Sequence, residues 1–252
     1  MKVCFIGAGP GDPELLTIKG RRIIDQAPVI IYAGSLVNPQ VLKGHRDDAV
    51  IYDSAHLHLE QIFAIYKQAQ KDNKDVARVH TGDPSIYGAI AEQIDWLKEQ
   101  GIDFEVIPGV SSFCAAAAAL GKELTIPEIT QTVILSRMGG RTPVPEKEEL
   151  SRLAQHQATL ILFLSVPQID ELIDKLLIGG YSSQTPAAIV VKASWPEEKK
   201  VLTTIGELKR QVEIMGVKKT ALIIIGQALG DNRQRSLLYD AVFSHEYRSK
   251  DL

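Results

Sequence analysis

Lys2-Val3-Cys4-Phe5-Ile6-Gly7-Ala8-Gly9-Pro10-Gly11-Asp12 opens with a short apolar run and closes on a turn holding three glycines and a proline. The run has the length and composition of a buried strand. After it, Glu14–Gln26 reads as a helix, with Asp12 as its N-cap and Pro13 in its first turn. Strand, glycine turn, helix is the opening of an α/β unit.

The same alternation continues outward from that stretch. Val29–Tyr32 and Val50–Tyr52 read as strands, and Leu59, Ile62, Phe63, Tyr66 and Ala69 recur at helical spacing. Val76–Val79 is a strand, Ala89–Gln100 a helix, Phe104–Ile107 a strand and Ser112–Leu120 an alanine-rich helix. A polar, proline-containing connection, Gly121 to Thr130, interrupts the pattern, which then restarts. Thr132–Leu135, Thr159–Leu164, Ala187–Val191, Val201–Thr204 and Ala221–Ile225 read as strands; Glu146–Gln155, Gln168–Ile178 and Glu207–Met215 read as helices. The expected fold is α/β: two α/β domains with mainly parallel or mixed sheets. The first spans 1–125, the second 131–230, and 231–252 forms a C-terminal tail whose apolar clusters are expected to dock on something, such as a second subunit.

Composition narrows the function classes. Of 252 residues, 45% are apolar and 23% charged, the balance of a globular chain rather than a disordered or fibrous one. No apolar run approaches the ~18 residues of a membrane span, and the N-terminus lacks the layout of a signal peptide. Cys4 and Cys114 lie in apolar contexts and are expected to be buried free thiols, which fits a reducing cytoplasm. The net charge of −3, without a Lys/Arg run, argues against nucleic acid as a partner. The six histidines are scattered, so no metal site is expected. Walker loop, nucleophile elbow and Cys–His pairing are all missing. A reaction needing little acid–base machinery fits these gaps.

The residues of interest sit just after expected strands, where ligands bind in open α/β sheets. The Gly7–Asp12 turn fails as a dinucleotide fingerprint. Its third glycine comes one residue early, Pro10 removes an N–H that phosphate would need, and the second strand ends Tyr32-Ala33-Gly34 without an acid. It is either a tight turn or a place where backbone approaches a ligand closely. In His80-Thr81-Gly82-Asp83-Pro84-Ser85-Ile86-Tyr87-Gly88, Asp83 either accepts from ribose hydroxyls or caps the turn. Pro108-Gly109-Val110-Ser111-Ser112 leads into a helix with five alanines, whose small side chains let it sit against sheet backbone, the expected reading, or against a flat ligand. Arg137 and Arg141, in a Gly/Pro loop, are either carboxylate-binding forks or solvated side chains. Trp195 either stacks on a flat substrate or plugs an interface.

Taken together, Gly7-Ala8-Gly9-Pro10-Gly11 with Leu15-Leu16-Thr17, Thr81-Gly82-Asp83-Pro84, Pro108-Gly109-Val110-Ser111, Lys219-Thr220-Ala221 and Gly226 resemble the tetrapyrrole (corrin/porphyrin) methylases over essentially the whole chain. Tyr32-Ala33-Gly34-Ser35-Leu36-Val37, Gly140-Arg141-Thr142-Pro143-Val144-Pro145, Lys192-Ala193-Ser194-Trp195-Pro196 and Phe243-Ser244-His245-Glu246-Tyr247-Arg248 resemble the branch that methylates carbon 11 of precorrin-4 or its cobalt form. The uroporphyrinogen branch has an Asp where this chain has Ala33 and a Lys near Ser54.

The resemblance implies a homodimeric enzyme of cobalamin biosynthesis with a ligand cleft between two domains. It implies S-adenosylmethionine as cofactor and a tetrapyrrole substrate. Pro10, Thr81, Gly82, Asp83, Ile86, Ser111, Ser112, Leu164, Ala193 and Ala221 match the family's cofactor positions, and Arg137, Arg141 and Trp195 are the substrate-side candidates. No catalytic acid or base is singled out. Two other readings stay open: the same fold methylating uroporphyrinogen, a diphthine precursor or ribosomal RNA, and a non-catalytic ligand-binding protein.

Overall fold

Along the first strand, β1 (Lys2–Gly7), Val3 and Phe5 face one side and Cys4 and Ile6 the other, and all four are buried. A strand buried on both faces belongs in the middle of a sheet covered on both sides. In the computed structural model, which describes residues 1–140, 142–218 and 220–231, β1 has that place. The chain falls into two compact units, the first made of 1–116 with 192–198 and the second of 117–191 with 199–231.

The first unit is built on an all-parallel sheet. Besides β1 it contains β2 (Val29–Tyr32), β3 (Val50–Asp53), β4 (Val76–His80) and β5 (Asp103–Ile107), in the order β3-β2-β4-β1-β5. Helix α1 (Ile18–Gln26) packs through Ile24 on the face that carries Cys4 and Ile6. Helices α2 (Leu59–Lys71) and α3 (Ala91–Glu99) pack through Ile62, Tyr66 and Leu97 on the face that carries Val3 and Phe5. Helix α4 (Ser112–Leu120) follows β5.

The second unit holds β6 (Val133–Arg137), β7 (Thr159–Phe163), β8 (Pro186–Val191), β9 (Lys199–Thr204) and β10 (Ala221–Ile225), ordered β6-β7-β10-β8-β9. Only β6 and β7 run parallel; β10 is antiparallel to β7 and β8, and β9 to β8. Helices α5 (Leu150–Ala154), α6 (Ile169–Ile178) and α7 (Leu208–Met215) share one apolar cluster with Leu160, Leu162, Ile189 and Ile223. The expected fold class, two α/β sheets of parallel and mixed type, is what the chain forms.

Local details depart from the sequence reading. The expected helix Glu14–Gln26 is two pieces. Asp12 does cap, accepting from Glu14 N at 2.9 Å, but it caps a single 3-10 turn, Pro13–Leu15. Buried Leu16 and Thr17 are extended, and Thr17 caps α1 by accepting from Gly20 N at 3.1 Å. Glu146–Gln155 likewise divides, at Glu149, whose side chain caps α5. Cys4 is buried as expected, but Cys114 is exposed, because the apolar neighbours that suggested burial lie on a different face of α4. The tail beyond Asp231, Arg141 and Lys219 lie outside the described residues.

Candidate active site

In the first sheet β1 and β4 are neighbours, yet their chains leave in opposite directions. The helix after β1 covers one face and the helix after β4 covers the other. Such a reversal opens a crevice at the carboxyl ends of the two strands. The loops bordering it are the glycine turns of the sequence, and they are stitched together by backbone.

Ala8 N donates to His80 O at 2.7 Å, Gly82 N to Gly9 O at 2.8 Å and Gly9 N to Gly82 O at 3.3 Å. The turn after β5 closes on both. A Cβ on Gly7 would stand 2.6 Å from Gly109 Cα and 2.6 Å from Gly82 O. Glycine is required there because three backbones meet with no room for a side chain. Asp83 is the polar link: Oδ2 accepts from Gly109 N at 2.9 Å and Oδ1 from Ser85 N at 2.8 Å. Burial raises its carboxyl pKa, but the hydrogen bonds from Gly109 and Ser85 outweigh burial and hold it below the usual range. The carboxylate is therefore ionised and fixes two turns. Ser111 is buried, its carbonyl accepting from Cys114 N and Ala115 N in the first turn of α4, and Ser112 begins that helix. Thr81 and Ile86 flank Asp83, with Ile86 N donating to Asp83 O at 3.2 Å.

Two residues that the sequence reading passed over, Asn38 and Ser194, hold the turn after β1 together with the candidate Trp195. Asn38, buried, donates from Nδ2 to Gly11 O at 2.8 Å. Ser194 Oγ accepts from Asp12 N at 3.0 Å, and Trp195 Nε1 donates to Pro10 O at 2.8 Å. Ala193, beside them, is buried. Next door, Asp53 accepts from Gly34 N at 3.0 Å and Ala55 N at 2.8 Å, and Ser54 Oγ donates to Tyr32 O at 3.0 Å. Asn38-Pro39 carried a turn signal that could have flagged Asn38; Ser194 and Asp53 carried none.

Under the β4 loop lies a buried polar group. Arg78, 5% exposed, reaches Gln93 Oε1 at 3.3 Å and Ile31 O at 3.5 Å, and Tyr66 OH donates to Gln93 Oε1 at 2.8 Å. His80 Nε2 is buried with no hydrogen-bond partner among the described residues. Burial first, and then the Arg78 charge, push the His80 pKa down to about 3, so the ring is neutral at physiological pH.

In the second unit, register places the remaining candidates at one end of the sheet. Arg137 pairs with Phe163 across parallel β6 and β7, and Ala221, opening β10, pairs with Val191, closing β8. Leu164, just beyond β7, is 66% exposed with φ +55°, and Thr220, before Ala221, has φ +60°. Left-handed backbone at a branched or bulky residue is strained and tends to mark functional loops. Arg137, a candidate for carboxylate recognition, turns back on its own loop. Its Nη1 donates to Met138 O at 3.1 Å and Thr142 O at 3.0 Å, and its Nη2 to Pro143 O at 3.1 Å. Ser165 Oγ braces the same loop, accepting from Met138 N at 3.0 Å. Among the described residues no cluster of His, Cys, Asp and Glu suits a metal ion, and no helix is long and apolar enough to cross a membrane.

Comparison with known proteins points to one family. Residues 2–209 match the family model described as Tetrapyrrole (Corrin/Porphyrin) Methylases. The chain is 54% identical to the cobalt-precorrin-4 C(11)-methyltransferase of Methanocaldococcus jannaschii, over 98% of this chain and 96% of that protein. A solved cobalt precorrin-4 methyltransferase superposes with a TM-score of 0.89 at 46% identity, covering 91% of this chain and 96% of the other. The uroporphyrin-III C-methyltransferase of Thermus thermophilus, solved with S-adenosylhomocysteine, superposes with a TM-score of 0.75 at 28% identity, covering 91% and 93%.

Proposed function

Because this chain belongs to the tetrapyrrole (corrin/porphyrin) methylases, we propose that it transfers a methyl group from S-adenosylmethionine to carbon 11 of a precorrin-4-type macrocycle in cobalamin biosynthesis. The observation that carries the reading is the meeting of the turns after β1, β4 and β5, where glycines at 7, 82 and 109 bring three backbones together at a sheet switch point.

The chemistry of that rim suits a sulfonium nucleoside. Gly7–Asp12, Tyr32–Val37, Thr81–Ile86 and Pro108–Ser112 contain no Lys or Arg, while Asp12 and Asp83 lie within them and Asp53 bonds to Gly34 N. Carboxylates favour a cation and leave none of the repulsion that a basic loop would supply. Pro10, Thr81, Gly82, Asp83, Ile86, Ser111, Ser112 and Ala193 are the proposed contacts in the first unit; in the second unit, taken by itself, Leu164 and Ala221 are the proposed cofactor residues. Asp83 already accepts two backbone N–H groups; its remaining lone pairs can take ribose hydroxyls as well. The exposed Leu164 side chain offers an apolar surface to an adenine ring.

When bound, the cofactor supplies the transferable methyl on its sulfonium. What remains for the protein is to align donor and acceptor and to exclude water, and positioning of that kind can contribute up to ~7–11 kcal/mol. A site made of rigid backbone turns is suited to it. We extend the proposal to a homodimer in the reducing cytoplasm.

The test is incubation of the chain with methyl-labelled S-adenosylmethionine and precorrin-4, with and without cobalt, followed by mass analysis of the pigment. One added methyl at carbon 11 is expected, and comparison of the two arms gives the preferred metal state. Label appearing on uroporphyrinogen instead would overturn the substrate, and binding without transfer to any macrocycle would overturn the activity.

A further inference from the structure

We infer that the loop joining β8 to β9 is a clamp that holds the Pro10–Asp12 turn in shape for the methyl donor, with Trp195 as a positioning residue rather than a platform for the flat substrate. The inference rests on the proposed function for the identity of the ligand. Its geometry is independent of that reading.

Three consecutive residues of the turn each have a backbone group tied to a side chain. Pro10 O accepts from Trp195 Nε1, Gly11 O from Asn38 Nδ2, and Asp12 N donates to Ser194 Oγ, at 2.8, 2.8 and 3.0 Å. Trp195 and Ser194 are adjacent, so the loop grips the turn at two points on either side of Gly11. The indole also fills the place of a Gly11 side chain: a Cβ there would lie 2.0 Å from Trp195 Cδ1 and 2.1 Å from Nε1. An indole has one N–H donor, and this one is used. The ring is further engaged by Lys192 Nζ, 5.2 Å from its centroid, with that ammonium 3.5 Å from Glu197. A ring held at its edge, and partnered by a cation, is poorly placed to take a macrocycle as well.

The clamp is itself held in an unfavourable backbone shape. Lys192 and Ser194 have φ of +48° and +68°. Such residues persist where their surroundings over-determine them. Here Ser194 N donates to Glu198 Oε2 at 2.8 Å, Trp195 N to Lys192 O at 3.0 Å and Glu198 N to Trp195 O at 3.0 Å. In the turn that receives the clamp Pro10 fixes one φ, but the glycines at 9 and 11 on either side of it leave the backbone freer to move. A strained loop that reaches its bonding position only by being locked, and then locks a flexible one, is a device for pre-organisation. A pre-organised binding loop gains affinity by cutting the ordering cost at binding.

Calorimetric titration of S-adenosylhomocysteine and steady-state kinetics on the full chain separate the roles. Trp195→Phe keeps an aromatic ring against Gly11 and removes the N–H. It should weaken S-adenosylhomocysteine by about 3- to 10-fold, the range of one lost hydrogen bond. The KM for S-adenosylmethionine should rise in step, with kcat at saturating donor and the macrocycle KM nearly unchanged. Ser194→Ala should act in the same direction, an independent arm if Trp195→Phe fails to fold. Gly11→Ala, which displaces the indole, should reproduce the defect, and Gly11→Ala with Trp195→Phe should lose less than the sum of the two. Unaltered S-adenosylhomocysteine affinity in Trp195→Phe and Ser194→Ala, or a rise confined to the macrocycle KM, overturns the clamp. Failure of the unsubstituted chain to bind S-adenosylhomocysteine at all would instead overturn the proposed function.

Discussion

Asp83 Oδ2 accepts the backbone N–H of Gly109 at 2.9 Å, so a carboxylate in the loop after β4 fixes the turn after β5. Its other oxygen accepts from Ser85 N at 2.8 Å. Asp83→Ala should therefore lower stability by about 1–3 kcal/mol, the range for losing hydrogen bonds to a charged acceptor, and weaken S-adenosylhomocysteine further than Asp83→Asn, which retains one acceptor oxygen. Denaturant melts and calorimetric titration of both variants check this; equal binding by Asp83→Ala and the parent would leave the residue a turn cap alone. The depressed carboxyl pKa gives the sign with pH. The bound proton is disfavoured in the folded state, so this contribution is complete above the ordinary carboxylate pKa and is lost as pH falls through the lowered value.

Gly7→Ala places a Cβ 2.6 Å from backbone atoms of both Gly82 and Gly109, which have no side-chain slack to give. A loss of several kcal/mol and of cofactor binding is expected. Gly101→Ala is the control: φ is +64° and nothing lies within 4 Å, so only a backbone cost of about 1–2 kcal/mol applies. Equal melting temperatures for the two variants would mean that the turns are not closely packed.

His80 supplies a pH signature. Its folded pKa of about 3 lies below the ordinary 6.5, so between those values the unfolded chain binds a proton that the folded chain does not. Stability falls with acidification across that window, at up to ~1.4 kcal/mol per pH unit. Urea denaturation at pH 7 and pH 5.5 should differ by about 1 kcal/mol more in the parent than in His80→Leu. A parallel response in both chains would remove the assignment.

Arg137 donates to three carbonyls of its own loop and should behave as a loop brace. Arg137→Ala is expected to cost about 1–3 kcal/mol of stability. Arg141→Ala should instead raise the macrocycle KM with little effect on donor affinity, the response of a carboxylate-binding fork. Kinetics varying each substrate in turn tell the two apart, and unchanged macrocycle KM in Arg141→Ala would withdraw its role.

Much of this architecture was legible because its causes are local. Two-faced apolar strands such as Val3–Ile6 announce a covered sheet, and the glycine turns after the strands mark where backbone comes close to something, which at 7, 82 and 109 is other backbone. What escaped reading has non-local causes. Asp12 and Thr17 are both good caps, and only the burial of Leu16 between them shows that each starts its own helix. The antiparallel partners of β10 lie far apart in sequence. Trp195 and Arg137 each left two readings open because their partners are main-chain carbonyls, which every residue has and which leave no mark in a sequence. Cys114 misled for the reverse reason, since alanine neighbours suit a buried helix but do not say which of its faces is covered.

A crystal structure of the chain with S-adenosylhomocysteine bears most directly on the central claim, that the stitched turns after β1, β4 and β5 hold the methyl donor. Density for the nucleoside against Gly7–Asp12, Thr81–Ile86 and Pro108–Ser112 is the expected result. Clear density elsewhere, with those turns untouched, would contradict it.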